Sequence, residues 1–225
     1  MHAYGMSDPD VKRFKVAIIP IGSAEQHGPH LPVLTDALIA EHVAGLIAGK
    51  VGAVAMPAIT YGISYEHAPL FHASVRSSTL SAMVSDVCAS LADYGFTDII
   101  LLNGHHGNFG ALQYIAQELK GRVTVNTLHY WHAMKEAELG HAGETETSLV
   151  LAIAPKLVRM DRARPGAKKM EKSKAAYSTL ANAPGSFVKI TGNGVWGDPR
   201  KASAEKGRKL LREITEGLTK TISEL

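Results

Sequence analysis

The chain contains one cysteine, no long apolar run and little imbalance of charge among its 225 residues. The lone Cys88 excludes an internal disulfide, and its apolar neighbours at helical spacing predict a place in the core. Apolar runs such as 51–59 are too short to cross a bilayer, and residues 1–10 lack the apolar stretch of a secretory signal. A net charge of +3 is too small to indicate nucleic-acid binding. These absences predict a cytoplasmic protein that binds neither nucleic acids nor membranes.

Histidine, by contrast, is abundant: the chain has 11, several of them beside glycine or proline where loops are expected. The length predicts a single domain spanning 1–225. Hydrophobic periodicity alternates between strand-like and helical segments, which predicts an α/β fold with a mainly parallel central sheet and helices on both faces. The predicted strands are 16–21, 51–59, 98–102 and 123–128; the predicted helices are 36–48, 78–94, 109–119, 145–153 and 203–223.

Two further predictions concern element ends and irregular segments. Thr35 is a possible N-cap of the first long helix, and Gly95 a C-terminal stop of the second. Residues 163–184 show no clear periodicity. This absence predicts an excursion from the core that is mobile or contacts a partner. The pattern resumes at 187–190, before the last helix.

The densest chemical signal follows the first strand, where Glu25, His27 and Asp36 lie within twelve residues. A glycine and two prolines restrict the intervening backbone. Carboxylates and imidazoles held close together are ligands for a divalent metal. Taken singly, each residue also has a structural explanation, since Asp36 suits a helix N-terminus and Glu25 suits an exposed surface.

Other polar segments follow the later strands: 103–108 after the third, 129–132 after the fourth, and 141–148 before the next helix. The carboxyl ends of parallel strands meet at one edge of a sheet. We therefore expect these segments to converge with Glu25 and His27. The alternative is that His105 is an ordinary loop histidine and that Glu144 and Glu146 merely complement a helix dipole.

Several weaker candidates remain open. His30 lies between two prolines and could only shape the turn, and His42 falls on a helix face away from Asp36. Residues 65–67 and His72 line a substrate pocket or form an ordinary polar loop. Trp131 is a packed aromatic or a substrate lid.

Residues 192–197 fit the G-x-G-x-x-G pattern but not its usual context. A dinucleotide site needs a helix opening directly from the glycines, whereas Asp198 and Pro199 follow here and the bulky Trp196 lies inside the loop. The segment is predicted to be a structured loop. A nucleotide-binding module built on it remains a rival hypothesis.

In order and spacing, Glu25-x-His27, Asp36, Asn103-Gly104-His105 and segment 141–148 resemble the creatininase (creatinine amidohydrolase) family. Segments 194–199 and 204–207 resemble its C-terminal pattern, so the likeness covers most of the chain. The resemblance implies a three-layer α/β sandwich and a homohexamer. It also implies two divalent metal ions per subunit (zinc, manganese or iron) and hydrolysis of an amide-type C–N bond in a small molecule.

Carried over by motif position, Glu25 and His105 would hold one metal, His27 the other, and Asp36 would bridge both. The family's creatinine-cleaving members have another glutamate two residues after the motif histidine, where this chain has Gly107. The resemblance favours Glu146 as the replacement ligand, with Glu144 as its rival.

The resemblance suggests a mechanism in which water activated by two metals attacks a carbonyl. His141 is the candidate for moving a proton to the leaving nitrogen, and Glu144 and Glu146 are candidate catalytic carboxylates. Three substrates compete: creatinine or a similar cyclic amidine, a formamide of flavin or deazaflavin biosynthesis, and a peptide. Gly107 favours a substrate other than creatinine. A metal-binding oligomer without turnover is the rival from another functional class.

Overall fold

The computed structural model describes residues 1–135, 140–167 and 183–225. Within these ranges the strands are β1 (Val16–Ile21), β2 (Val54–Ala55), β3 (Asp98–Asn103) and β4 (Thr124–His129). The helices are α1 (Asp8–Val11), α2 (Thr35–Val51), α3 (Ser77–Tyr94), α4 (Phe109–Leu112), α5 (Ile115–Glu118), α6 (Glu144–Ile153), α7 (Ser186–Thr191) and α8 (Ala204–Ser223).

The strands form one parallel sheet in the order β2-β1-β3-β4. Ile21 lies opposite Asn103, and Asn103 lies opposite His129, so the last residues of β1, β3 and β4 are in register. The loops that leave these strands therefore start from one level at the same edge. This alignment places the polar segments of the sequence side by side.

Helices cover both faces of the sheet. Because successive strand residues point to opposite faces, Ile18 and Leu102 pack with α2, α6 and α8, whereas Ile19 and Leu101 pack with α3, α4 and α5. Cys88 is fully buried on the second face, as its apolar neighbours predict. The predicted fold class, a parallel sheet between two helical layers, is confirmed.

The second predicted strand is much shorter than expected. Helix α2 runs on to Val51 and ends at Gly52, which adopts a left-handed conformation with φ 66°. Only Val54–Ala55 pairs as a strand. Pro57 cannot donate a hydrogen bond to the ladder, although Ile59 still pairs with Ile21 as an isolated bridge.

Other element boundaries also differ from the prediction. Thr35 is the first residue of α2 rather than its cap, and its hydroxyl donates to the carbonyl of Pro32 at 2.7 Å. The predicted helix 109–119 is divided into α4 and α5, and 187–190 belongs to α7. Gly95 ends α3 with φ 112°, as predicted. Most of the predicted excursion, 168–182, lies outside the described residues.

Helix α8 lies close against α6 because of Gly207. A Cβ at this position would come within 1.9 Å of the carbonyl oxygen of Ser148, so only glycine permits this approach. The contact fixes α6, which carries Glu146, against the C-terminal helix. In the described ranges, no helix combines the length and apolar character needed to cross a membrane.

Candidate metal centre

The predicted metal-binding residues meet at the carboxyl edge of the sheet and are all buried. They come from four places: the loop after β1, the loop after β3, the first turn of α2 and the first turn of α6. We call this group the carboxylate cluster; its members are Glu25, His27, Asp36, His105 and Glu146.

Backbone pairing between two loops holds Glu25 in place. The segment after β1 runs antiparallel to the segment after β2, with Glu25 paired with His72. The amide of Gln26 donates to the carbonyl of Phe71 at 2.7 Å, and the amide of Ala73 donates to the carbonyl of Ala24 at 2.8 Å. These backbone bonds tie the segment that carries Glu25 to the loop after β2.

Asp36 lies between two imidazoles. Its Oδ1 is 3.0 Å from Nε2 of His27, and its Oδ2 is 3.0 Å from Nδ1 of His105. Nε2 of His27 also lies 3.9 Å from Oε1 of Glu146, and Nε2 of His105 lies 3.3 Å from Oε2 of Glu25. One carboxylate oxygen therefore faces each side of the cluster.

Several carboxylate oxygens of the cluster lack the partner that burial demands. Both oxygens of Glu25 and Oδ2 of Asp36 are buried and accept no hydrogen bond from the described residues. A buried carboxylate left in this state is costly. Two ligands of one ion, bound at about 2.1 Å with tetrahedral angles, lie roughly 3.4 Å apart. The short contacts of these three carboxylate oxygens with ring nitrogens lack hydrogen-bond alignment. Their lengths therefore fit ligand atoms that bind the same cation.

Backbone carbonyls fix the protons of three imidazoles. A carbonyl only accepts, so the ring nitrogen facing it carries a hydrogen and, in the neutral ring, leaves its lone pair on the other nitrogen. Histidines that bind metals have this arrangement. The three pairs are His27 Nδ1 with the carbonyl of Glu25 at 3.2 Å, His105 Nε2 with that of Ile63 at 2.7 Å, and His141 Nε2 with that of Gln26 at 2.9 Å.

The cluster strongly shifts the pKa values of its members. Burial alone would lower the pKa of His27 and His105, but the charges of Asp36 beside His27 and Glu25 beside His105 outweigh it and raise each pKa to about 10. Burial would raise the pKa of Glu25, but His105 holds it down at about 2. For Glu146, burial prevails and raises the pKa to about 7. Without a metal, these raised pKa values keep protons on His27 and His105, at the positions where a bound cation would neutralise the carboxylates.

His141 lies close to the potential metal ligands of the cluster. Its Nδ1 is 3.7 Å from Oε1 of Glu25. Burial and the neighbouring His27 keep its pKa well below the ordinary value, so the ring is neutral with a lone pair directed inward. Three groups of potential ligand atoms within 4.8 Å of one another occur among the described residues: Glu25–His27–Asp36, His27–His141–Glu146 and Glu25–His67–His141.

His105 stands apart from these groups. It meets Asp36 through Nδ1 and Glu25 through Nε2, at opposite ends of its ring. Because Nε2 donates to a backbone carbonyl, Nδ1 is the nitrogen that remains available to a cation. His105 therefore reaches the cluster on the Asp36 side.

The structure separates the two glutamates of α6. The Glu144 carboxylate is partly exposed and pairs with Lys206, whereas Glu146 is buried and accepts a 2.5 Å hydrogen bond from the amide of Ala142. Residues two apart on a helix point to opposite sides. Contrary to the prediction that gave Glu144 a catalytic or replacement role, the structure does not bring it to the cluster.

No side chain fits at Gly107. A Cβ there would lie 2.2 Å from the carbonyl oxygen of Ile63 and 2.5 Å from Nε2 of His105. The carboxylate of Glu66 also lies 4.0 Å from this nitrogen. A glutamate at the family position is therefore incompatible with this local backbone.

Sequence reasoning left two equal interpretations of His67, and the structure places it inside the site. It lies in a short 3-10 helix, Tyr65–His67, after β2. Its side chain is 3% exposed, and its Nε2 is 3.2 Å from Oε1 of Glu25 and 3.9 Å from Oε1 of Glu66. The only sequence signal was a set of polar residues, Glu66 and His67 among them, in a loop that follows the second strand.

The C-terminal glycine-rich loop supports the site. Backbone bonds join His141 and Trp196 in both directions, at 3.1 and 2.8 Å, and the carbonyl of Gly194 accepts a hydrogen bond from Gln26 at 3.0 Å. The G-x-G-x-x-G match is thus a structured loop, as predicted. His30 also has a structural partner, since its Nε2 lies 2.9 Å from the hydroxyl of Thr147.

The fold and this cluster define a class of protein: a three-layer α/β protein with buried carboxylates and imidazoles at the carboxyl edge of its sheet. The sequence model of the family Creatininase, described as creatinine amidohydrolase, matches residues 6–222. The chain therefore belongs to the creatininase family, and it is a hydrolase acting on carbon–nitrogen bonds.

Two relatives illustrate the range of the family. The mycofactocin precursor peptide peptidase of Mycobacterium ulcerans (strain Agy99) is 32% identical, over 92% of this chain and 84% of its own. The creatinine amidohydrolase of Pseudomonas putida is 27% identical, over 93% of this chain and 89% of its own. The family likeness therefore extends along nearly the whole chain.

Solved structures agree with this assignment. A mutant creatininase of Zn-Zn type superposes with a TM-score of 0.84 at 26% identity, covering 99% of this chain and 97% of its own. A creatininase with Mn gives a TM-score of 0.84 at 25% identity, with the same coverage of 99% and 97%. The described fold is that of the family.

Proposed function

We propose that this protein is a metal-dependent amidohydrolase that cleaves a C–N bond of a small molecule with water activated by two divalent ions. One observation carries the proposal: the carboxylate cluster is buried, yet oxygens of Glu25 and Asp36 accept no hydrogen bond from the described residues. In their neutral rings, the inward nitrogens of His27 and His105 add the ligands that zinc, manganese and iron accept.

We assign the ligands by motif position within the family. Glu25 and His105 would hold one ion, and His27 and Glu146 the other. Asp36 would bridge them, which is supported by its two oxygens facing His27 and His105 at 3.0 Å each. The Zn-Zn and Mn creatininase structures support zinc or manganese as the occupants.

When bound, a pair of divalent ions supplies Lewis acidity and lowers the pKa of water toward neutrality. His141 can take up a proton at its neutral Nδ1 and deliver it to the leaving nitrogen, because an amine anion is a poor leaving group. Its Nε2–H, held by the carbonyl of Gln26 at 2.9 Å, fixes the ring during this transfer. Glu146 adds a buried carboxylate beside His27.

The substrate class follows from Gly107. The creatinine-cleaving pattern places a glutamate there, and this backbone cannot accept one. We therefore favour an amide or formamide other than creatinine. A short peptide is the second candidate, favoured by the likeness to the M. ulcerans peptidase, which is 32% identical. The family resemblance further supports a homohexamer, and the single cysteine favours the cytoplasm, where disulfides are rare.

Metal analysis combined with an amide panel tests the proposal. The purified protein should hold two ions per chain, and a chelator should abolish hydrolysis, which zinc or manganese should restore. Glu25→Gln should lose metal and turnover, whereas Glu144→Gln, a matched change outside the cluster, should keep both. Hydrolysis that survives complete metal removal would contradict the proposal. Two ions without turnover on creatinine, formamides or short peptides would favour the non-catalytic oligomer.

A further inference from the structure

His67 is the fourth imidazole at the cluster, and its position alone permits two roles. Its Nε2 lies 3.2 Å from Oε1 of Glu25, and with Glu25 and His141 it forms a group that could hold a metal. A ligand needs a lone pair on this nitrogen, whereas a hydrogen-bond donor needs a hydrogen there. The location of the ring proton decides between the two roles.

The side-chain amide of Gln26 determines that proton. Its Oε1 accepts from the backbone amide of Gly28 at 2.9 Å, and its Nε2 donates to the backbone carbonyl of Gly194 at 3.0 Å. A flipped amide would set donor against donor and acceptor against acceptor. Because a backbone amide only donates and a backbone carbonyl only accepts, the orientation of Gln26 is fixed.

Gln26 therefore donates to His67. Its Nε2 lies 2.8 Å from Nδ1 of His67, so this ring nitrogen holds the lone pair and the neutral ring carries its hydrogen on Nε2. The second close nitrogen, Nε2 of His141 at 3.1 Å, needs no hydrogen from Gln26, because it donates to the Gln26 carbonyl at 2.9 Å. The two hydrogens of the amide go to His67 and Gly194.

The ring hydrogen of His67 thus lies on the nitrogen that faces the cluster, whereas in the three other imidazoles it lies on the nitrogen that faces away. In the neutral ring, each of His27, His105 and His141 gives its hydrogen to a backbone carbonyl and directs a lone pair inward. His67 receives a hydrogen on its outer nitrogen and directs N–H inward. A ring nitrogen that carries a hydrogen cannot bind a metal.

The inward N–H makes no aligned hydrogen bond with a neighbouring carboxylate. Oε1 of Glu25 lies 3.2 Å from Nε2 but outside hydrogen-bond alignment, and Oε1 of Glu66, at 3.9 Å, is too far to accept one. The ring itself is held by packing, with centroids 4.8 Å from Phe187 and 4.7 Å from His141. A rigid donor is therefore available beside the cluster.

We propose that His67 is a hydrogen-bond donor to the substrate, directed at the carbonyl oxygen of the scissile bond, and not a metal ligand. The inference rests on the proposed function, since it assigns a role within the same site. A donor placed in advance stabilises the negative charge that develops on a carbonyl oxygen during attack. Gln26 is the positioning residue that keeps the hydrogen on Nε2.

Two variants separate donor from ligand. Glutamine places its amide nitrogen near the position of the histidine Nε2, whereas asparagine reaches only as far as Nδ1. We expect His67→Asn to retain two ions per chain and to lose kcat by about 100-fold, the effect of removing one such donor. His67→Gln should also retain both ions and recover most of the lost kcat. His42→Gln, in α2 and outside the cluster, controls for the loss of an imidazole and should change neither.

A spectroscopic measurement tests the proton directly and needs no turnover. In metal-free protein with ¹⁵N-labelled histidine, long-range ¹H–¹⁵N correlations should show His67 with its hydrogen on Nε2. Gln26→Glu puts a carboxylate oxygen against Nδ1 and should move the hydrogen to Nδ1. The His67→Asn spectrum identifies the signal.

Two results would overturn the inference: loss of one ion from His67→Asn, or a hydrogen on Nδ1 in the unaltered protein. Failure of the proposed function gives a different result, namely an unaltered protein that binds no metal or hydrolyses no amide. The tautomer of His67 is measured in either case.

Discussion

Two groups of histidines lie at the same edge of the sheet and differ in their neighbours. The carboxylate cluster holds imidazoles beside buried acids. The second group, which we call the aromatic cluster, consists of His106, His129 and His132 with Phe109 and Trp131. Ring centroids there lie 5.0–5.1 Å from that of His129 for Phe109, Trp131 and His132. Within the described ranges, none of these histidines pairs with a carboxylate.

The neighbours reverse the sign of the pKa shift. Burial lowers the pKa of His129, and the nearby His132 adds to it, giving a value of about 4. Burial would do the same to His27, but the charge of Asp36 raises its pKa to about 10. Histidines at one edge of the sheet thus differ in the direction of their pKa shift, according to whether an acid lies beside them. The acids, rather than the number of histidines, therefore indicate where a metal binds.

Asp36→Ala should have the largest effect, because it removes the acid that faces both His27 and His105. We expect loss of both ions and a fall in hydrolysis by roughly 1000-fold or more, since several kcal/mol of transition-state stabilisation depend on the metals. Elemental analysis and an amide assay measure the two effects. Asp93→Ala, which removes an exposed acid paired with Arg122, is the control. Full metal content in Asp36→Ala would show that the acids of the carboxylate cluster do not determine where the metal binds.

The two glutamates of α6 offer a matched pair for the next test. Glu146→Gln should weaken metal binding by at least about 10- to 100-fold, the range seen even when an outer-shell partner is lost. Glu144→Gln removes a partly exposed pair with Lys206 and should leave metal binding unchanged, because such pairs contribute about 0–1 kcal/mol. Calorimetric titration with zinc measures both. Equal effects would show that burial does not distinguish these acids.

Gly107→Ala should destabilise the protein by about 1–3 kcal/mol, as overpacking does, because its Cβ would lie 2.2 Å from the carbonyl oxygen of Ile63. Displacement of His105 should also weaken metal binding. Gly110→Ala is the control, since a Cβ there meets nothing within 4 Å. Urea unfolding of both variants measures the difference. Equal stability of the two would mean that the site tolerates a side chain at 107.

The pH dependence of metal-free stability should have opposite signs in the two clusters. For His27, with a pKa raised from 6.5 to about 10, the stabilisation is complete below pH 6.5 and is lost as the pH rises toward 10. For His129, lowered to about 4, the stabilisation is present above pH 6.5 and is lost as the pH falls toward 4. Thermal unfolding in chelator at pH 5, 7 and 9 tests this. In the plot of stability against pH, His27→Gln should flatten the alkaline limb and His129→Gln the acid limb. The prediction would be refuted if His27→Gln flattened the acid limb and His129→Gln the alkaline one.

Sequence periodicity predicted the layers of the fold because buried parallel strands and amphipathic helices have distinct patterns. It overestimated the second strand because apolar residues around Val51 are equally compatible with the end of a helix. The positive φ of Gly52 and the missing donor of Pro57, rather than hydrophobicity, set that boundary.

The acids and histidines that follow strands were predictable, because parallel topology brings their loops to one edge. The separation of Glu146 from Glu144 depended on where α6 begins, which periodicity gives only to within a residue or two. His67 was not predictable as a donor. Its role depends on the orientation of the Gln26 amide, which two distant backbone groups determine and no sequence spacing records.

The bond between Gln26 and Gly194 joins residues 168 positions apart. An N-terminal fragment that stopped before Gly192 would contain Glu25, His27, Asp36, His105 and Glu146, yet its Gln26 amide would lack one of the two backbone partners that fix its orientation. A growing polypeptide on the ribosome would pass through the same condition. Competence for turnover would then come late in synthesis, when the final loop arrives and the reactive groups already assembled acquire their proper protonation.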